Sequence, residues 1–115
     1  MFDFEKFEVY KKAKQITKET SDLLTSLKGA NSRIIDQLQR ASLSITLNIA
    51  EGAGRYSKAD KKNFYIIARG SVFECVAIFD IICDMGLISE LQKAAFYERF
   101  EELSKMISGL INSQK

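Results

Sequence analysis

Asn48, Glu51, Ser71 and Glu74 are the residues whose types and spacing come nearest to chemistry, with Arg40 and Arg69 on the same two segments. Two carboxylates beside a serine suggest proton transfer, or a pair of metal ions held inside a helical bundle. Both need partners that the chain does not carry. Its 115 residues include no histidine, the commonest general base and metal ligand. The di-metal plan of helical bundles requires Glu-x-x-His motifs as well as glutamates. The six residues therefore read as a structural polar cluster. Its carboxylates should pair across helices with Arg40, Arg55 or Arg69, because a buried charge left alone costs several kcal/mol. No catalytic residue, metal or cofactor is expected, and the chain reads as non-enzymatic.

A second group of residues could meet phosphate. Arg55, Lys58, Lys61 and Lys62 cluster in eight positions, and Lys11, Lys14 and Lys18 recur near the start. The net charge is only +2, but residues 1–62 carry twelve Lys/Arg against eight Asp/Glu, whereas residues 63–115 carry five against seven. A basic half leans toward nucleic acid, so RNA or DNA is a second partner to consider. Glu5, Glu8 and Glu19 are interleaved with the early lysines, which reads as a solvated face. Lysines at a helix start oppose its dipole, so the later cluster asks for a reason beyond solubility.

Four helical patterns must position these groups. Apolar residues recur at spacings of three and four over about 4–27, 33–53, 58–85 and 89–112. Lys28-Gly29 reads as a helix stop, Asn31 or Ser32 as the next cap, and Gly52 with Gly54 as the close of the second helix. Ser57 with Asp60, and Ser89 with Gln92, have capping-box spacing, and Gly86 separates the last two helices. No proline interrupts them. Joined by short breaks, they predict one all-α domain over 1–115, an up-down-up-down antiparallel four-helix bundle.

The third helix is the unusual one. Sixteen of the twenty-two residues from Phe64 to Met85 are apolar. Arg69, Glu74, Asp80 and Asp84 argue against a membrane span. Phe64, Ile67, Ser71, Cys75, Ile78, Ile82 and Met85 fit one core stripe, which leaves Tyr65, Ile66, Val72, Phe73, Val76 and Phe79 pointing elsewhere. A helix apolar all round is buried all round. A small bundle supplies too few partners, so these six are expected at an oligomer interface, with Leu43, Leu47 and Ala50 from the second helix. Gly70 is expected to permit a close helix approach. Cys75 and Cys83 lie about 12 Å apart along one helix, too far for a disulfide. Their apolar neighbours suggest inert thiols. With no signal-peptide pattern at Met1-Phe2-Asp3-Phe4-Glu5, the cytoplasm is the expected compartment.

The run Asn48-Ile49-Ala50-Glu51-Gly52, then Gly54-Arg55 and Ser57, Phe64, Ile67-Ala68, Gly70-Ser71 and Glu74, carries a resemblance. Gln37, Arg40-Ala41 and the segment from Phe4 to Ala13 extend it over nearly the whole chain. The sequence resembles the small bacterial four helix bundle proteins encoded in intervening sequences of large-subunit ribosomal RNA genes. It is similar, too, to the accessory variability proteins of diversity-generating retroelements. The resemblance implies a left-handed bundle assembled as a ring-like homopentamer. It also implies, from the retroelement relatives, nucleic-acid contact through basic surface. Gln39 stands beside Arg40 where the family often has a second arginine.

Overall fold

The computed structural model describes residues 1–27 and 31–114. A single 3₁₀ turn, Asp3–Lys6, precedes four helices: α1 (Glu8–Ser26), α2 (Ser32–Ala53), α3 (Lys58–Asp84) and α4 (Glu90–Asn112). No strand occurs among the described residues. Each helix packs on its sequence neighbours and α1 closes on α4, in a body of 44 × 22 × 21 Å. Successive helices run antiparallel: Ser44 meets Ser71 and Gly52 meets Tyr65 as α2 descends and α3 rises.

The first helix starts later than its pattern predicts. Phe7 is extended (φ −70°, ψ 127°) and separates the 3₁₀ turn from α1. In a continuous helix, positions 4 and 10 would lie on different faces. The break at Phe7 lets the Phe4 ring meet Tyr10 edge-on at 4.8 Å, and Phe2 stack on Phe4 at 6.0 Å. Aromatic contact therefore wins over one more helical turn.

Side-chain caps account for the other ends. Asn31 accepts from the Arg33 and Ile34 amides at 3.1 and 3.3 Å, and Ser32 becomes the first residue of α2. Ser57 accepts from Asp60 N–H at 3.0 Å. Ser89 and Gln92 form both halves of a capping box. Gly86 takes φ +76°, a left-handed conformation that suits glycine alone. The Leu87 amide then donates back to the Ile82 carbonyl at 2.9 Å, ending α3. The Lys28-Gly29 stop lies outside the described residues. In the second helix, Gly52 proves to be helical and buried, and Gly54 is the terminating residue.

The core has heptad spacing. Leu38, Ser42, Ile45, Ile49 and Gly52 of α2 face Tyr65, Ala68, Val72, Cys75, Phe79 and Ile82 of α3, and all are buried. Alternating steps of three and four keep one seam facing inward along the helix. Ile16 of α1, with Phe100, Leu103 and Ile107 of α4, fills the other side. This corrects the stripe expected for α3. Ile67 and Met85 are 49% and 47% exposed, whereas Tyr65, Val72 and Phe79 are covered by the chain itself and leave the list of interface residues. Two apolar stripes compete on this helix, and the one matching the heptad of α2 is the one buried.

Gly52 decides the spacing of that pair. A Cβ there would stand 2.7 Å from the Tyr65 ring and 3.1 Å from Phe64 Cβ. Tyr65 lies flat where the side chain of any other residue would be. The α1–α4 seam is held differently, by Arg99–Glu19 at 2.6 Å and Lys12–Glu102 at 2.8 Å.

Gly52→Ala should lower stability in urea. Overpacking costs about 1–3 kcal/mol, only partly offset by about 1 kcal/mol of better helix propensity. An unchanged or higher midpoint would contradict the close packing. The hydrogen bond from Arg99 holds the Glu19 carboxyl below its ordinary value of 4.5. That contribution is present above pH 4.5 and lost as pH falls through the lowered value. Arg99→Ala should therefore cost less than about 1 kcal/mol at pH 7, the pair being partly exposed. The difference from wild type should shrink below pH 4.5 in matched urea melts.

Candidate functional site

Two polar residues of α2, Ser44 and Asn48, turn toward α3 and form a chain that reaches Ser71 there. Asn48 Nδ2 donates to Ser44 Oγ at 3.0 Å and to the Ser44 carbonyl at 2.8 Å. Ser71 Oγ donates to the Ile67 carbonyl at 3.2 Å, so in the 2.9 Å Ser44–Ser71 contact the proton comes from Ser44. Each hydroxyl thus gives and receives once, which is how a polar contact between packed helices avoids an unsatisfied group. A second bridge ties α1 to α2: Thr17 donates to the Ser42 carbonyl at 2.9 Å and accepts from Thr46 at 3.0 Å.

The expected cross-helix pairing of carboxylates with arginines forms differently. Glu51 pairs with Arg55 on its own segment at 2.6 Å, and Glu74 accepts from Gln37 of α2. Arg40 is exposed, beside Ser32, Arg33, Asp36 and Gln37 in a shallow pocket of about 370 Å³. Arg69 lies over the Phe73 ring, 4.7 Å from its centroid. Glu51 and Arg69 find nearer partners on their own segments and Glu74 finds an amide of α2, so the cluster splits. Gln37, the partner of Glu74, precedes Glu51 by fourteen residues, about 21 Å of helical rise. The two carboxylates cannot act on one metal or one substrate atom.

The basic groups are similarly engaged. Lys61 Nζ donates to the Ala53 carbonyl at 2.8 Å, closing the C-terminus of α2. A cation at the start of α3 is therefore also a cation at the end of α2, which resolves its unfavourable placement. Arg55, besides holding Glu51, lies 4.5 Å over the Phe64 ring. Lys58 and Lys62 are exposed beside them. On α1, Lys11 pairs with Glu8 at 3.5 Å and Lys18 with Asp22 at 3.2 Å, while Lys14 is exposed.

What remains open is apolar. Leu43, Leu47, Ile66 and Phe73 are 44–56% exposed, and Val76 is half-buried. Gly70 lies among them in open space: a Cβ would meet no atom within 4 Å, so the close approach expected for it does not occur within one chain. Between α3 and α4 runs a groove of about 630 Å³, walled by Phe73 and Tyr97 with Lys93, Lys105, Asp80 and Glu101 on its rim. The exposure of Ile67 and Ile81 was hidden in a sequence apolar on every side; the heptad of α3 was the available signal. Cys75 is buried, and its thiol is pushed up to about 12 by burial and then by Glu74. Cys83 is half-buried and unpaired. Among the described residues, no helix is long and apolar enough to cross a membrane.

Lys61→Met should cost about 0.5–1.5 kcal/mol in a urea melt, as loss of a capping hydrogen bond, with solution mass unchanged. No loss would mean that the Ala53 carbonyl is equally well served by water.

Comparison with known proteins adds the following. A family model described as "23S rRNA-intervening sequence protein" matches residues 5–109. A comparison with curated proteins returns no match. Among solved structures, the chain is similar to a protein of unknown function from the S23 ribosomal protein family of Bacteroides thetaiotaomicron VPI-5482. The TM-score is 0.86 at 22% identity, over 90% of this chain and 97% of that one. At that identity the likeness speaks for the fold alone.

Proposed function

The chain belongs to the 23S rRNA-intervening sequence protein family, and on that footing we propose that it is a non-enzymatic helical-bundle module that works by associating with copies of itself. The observation that carries this reading is the bare outer face of α2 and α3. Among the described residues, six of the twelve large hydrophobics that stand well exposed lie on these two helices, Leu43, Leu47, Ile66, Ile67, Phe73 and Ile81, and a seventh, Met85, caps the end of α3. Apolar patches of that extent on a small chain mark interaction surfaces. A second copy is the partner that is always at hand in equal amount, and a homo-oligomer, five-membered as the resemblance implies, would cover the face. The cytoplasm, where free thiols persist, is the compartment that suits Cys75 and Cys83.

The non-enzymatic part of the reading is supported by the separation of Glu51 from Glu74 and by their engagement with Arg55 and Gln37. The nucleic-acid alternative would have to work against the internal contacts of Arg55, Lys61, Lys11 and Lys18.

Light scattering should give the wild type a mass of several chains. Phe73→Asp should reduce it while leaving the helical circular dichroism intact, because Phe73 is 55% exposed within one chain. A wild-type monomer would defeat the proposal. Titration with labelled RNA or DNA at low and moderate salt should show no salt-sensitive binding at micromolar protein. Binding that weakens steeply with salt would favour the nucleic-acid reading instead.

A further inference from the structure

Gly70 serves no purpose in the fold of one chain. It stands in the middle of α3, exposed, with room for a side chain on every side. Glycine is less favourable than alanine inside a helix, and nothing in the subunit's own packing compensates. Its neighbours along the outer face are Ile66, Phe73 and Ala77, all exposed, so the glycine makes a notch in an apolar ridge. On α2 the outward residues Arg40, Leu43, Leu47 and Glu51 follow one another at steps of three and four, also exposed. That stripe is a ridge with a leucine at its centre.

We propose that these two stripes are the two sides of one contact. The α2 of a second copy lies antiparallel along α3, with its Leu47 in the notch over Gly70 and its Leu43 beside Phe73. The inference rests on the assembly reading above and narrows it to two named surfaces and a direction.

Charge sets the direction. The outer side of α3 carries Lys62 and Arg69 in its first half, with exposed Asp60 ahead of them, then Glu74, Asp84 and Asp80, the last already paired with Lys93 of α4 at 3.0 Å. The stripe of α2 runs the same way, with Arg33 and Arg40 before the leucines and Glu51 after them; Asp36 alone departs from the trend. Laid antiparallel, Arg33 and Arg40 meet the acidic half of α3 and Glu51 meets Arg69. Laid parallel, Arg40 would face Lys62 and Glu51 would face Glu74. Complementary rim charges of this kind select orientation and register more than they add affinity.

The occupant follows from coverage. Pairing α3 with another α3 would leave Leu43 and Leu47 in water. Pairing α2 with α3 covers both stripes and uses Gly70. A single contact of this kind leaves one α2 stripe and one α3 stripe unused in each pair, unless a two-fold arrangement makes the contact twice. Where the contact is made once per pair, association continues until a ring closes.

Two variants test this. Gly70→Arg fills the notch, and Leu47→Asp spoils the ridge. Each alone should be monomeric by light scattering, with helical circular dichroism. The melting temperature of the Gly70 variant should be no lower than that of a wild-type sample dilute enough to be monomeric, since its site is open within the chain. Gly70→Leu replaces it if arginine disturbs the helix. Mixed in equal amounts, the intact α3 of the Leu47 variant and the intact α2 of the Gly70 variant should combine to a mass of two chains and stop. A variant that keeps the wild-type mass, or a mixture that stays monomeric beside an assembled wild type, overturns this contact but leaves self-association standing. A monomeric wild type removes both.

Discussion

The Tyr65 ring seated against Gly52 is the contact on which the rest of the bundle depends. It brings the C-terminal end of α2 within reach of the first turns of α3, and several features follow from that approach. The Lys61 ammonium can reach the Ala53 carbonyl only because the two helices close tightly there. Further along, the same spacing lets a pair of short serine side chains bridge α2 and α3 directly. A wider pair would have needed longer polar groups or water at both places. Tyr65 is buried, and burial pushes its phenol up from the usual value, so it serves the interior as a flat apolar wedge.

Much of this was legible in the residues. Steps of three and four, caps at Asn31, Ser57 and Ser89, and the absence of proline marked out four helices and their order. The resemblance carried by Asn48 to Glu74 named the family that the family model matches. Two things were not legible, for physical reasons. The start of α1 is set by ring contact between Phe4 and Tyr10, a preference that helical periodicity does not encode. Which face of α3 turns inward could not be read from apolarity, because both faces are apolar. It follows from the heptad, 65-68-72-75-79-82, matching its counterpart on α2.

The candidate sites were legible by residue type and misleading by pairing. Asn48 and Ser71 do turn toward each other's helix through Ser44, but Arg40 is exposed and the other charges settle with nearer groups: Glu51 with Arg55, Arg69 with Phe73, Glu74 with Gln37. Spacing along a helix predicts a face; it does not say which of several long side chains arrives first. The basic turn makes the same point. Its lysines looked like a phosphate-facing patch, and one of them closes a helix instead. Several polar residues here fasten one helix to another, and a set of large apolar residues on α2 and α3 is left exposed.

The seam between α1 and α4 is thinner than the others, and it joins the two ends of the chain. Its cross-helix fastenings are two partly exposed ion pairs, whereas α2 and α3 interlock along their length. Local opening begins where buried contact is least. The terminal helices are accordingly the parts that peel away first, and their amides the first to trade protium for deuterium. The central hairpin keeps its protection until the molecule comes apart as a whole.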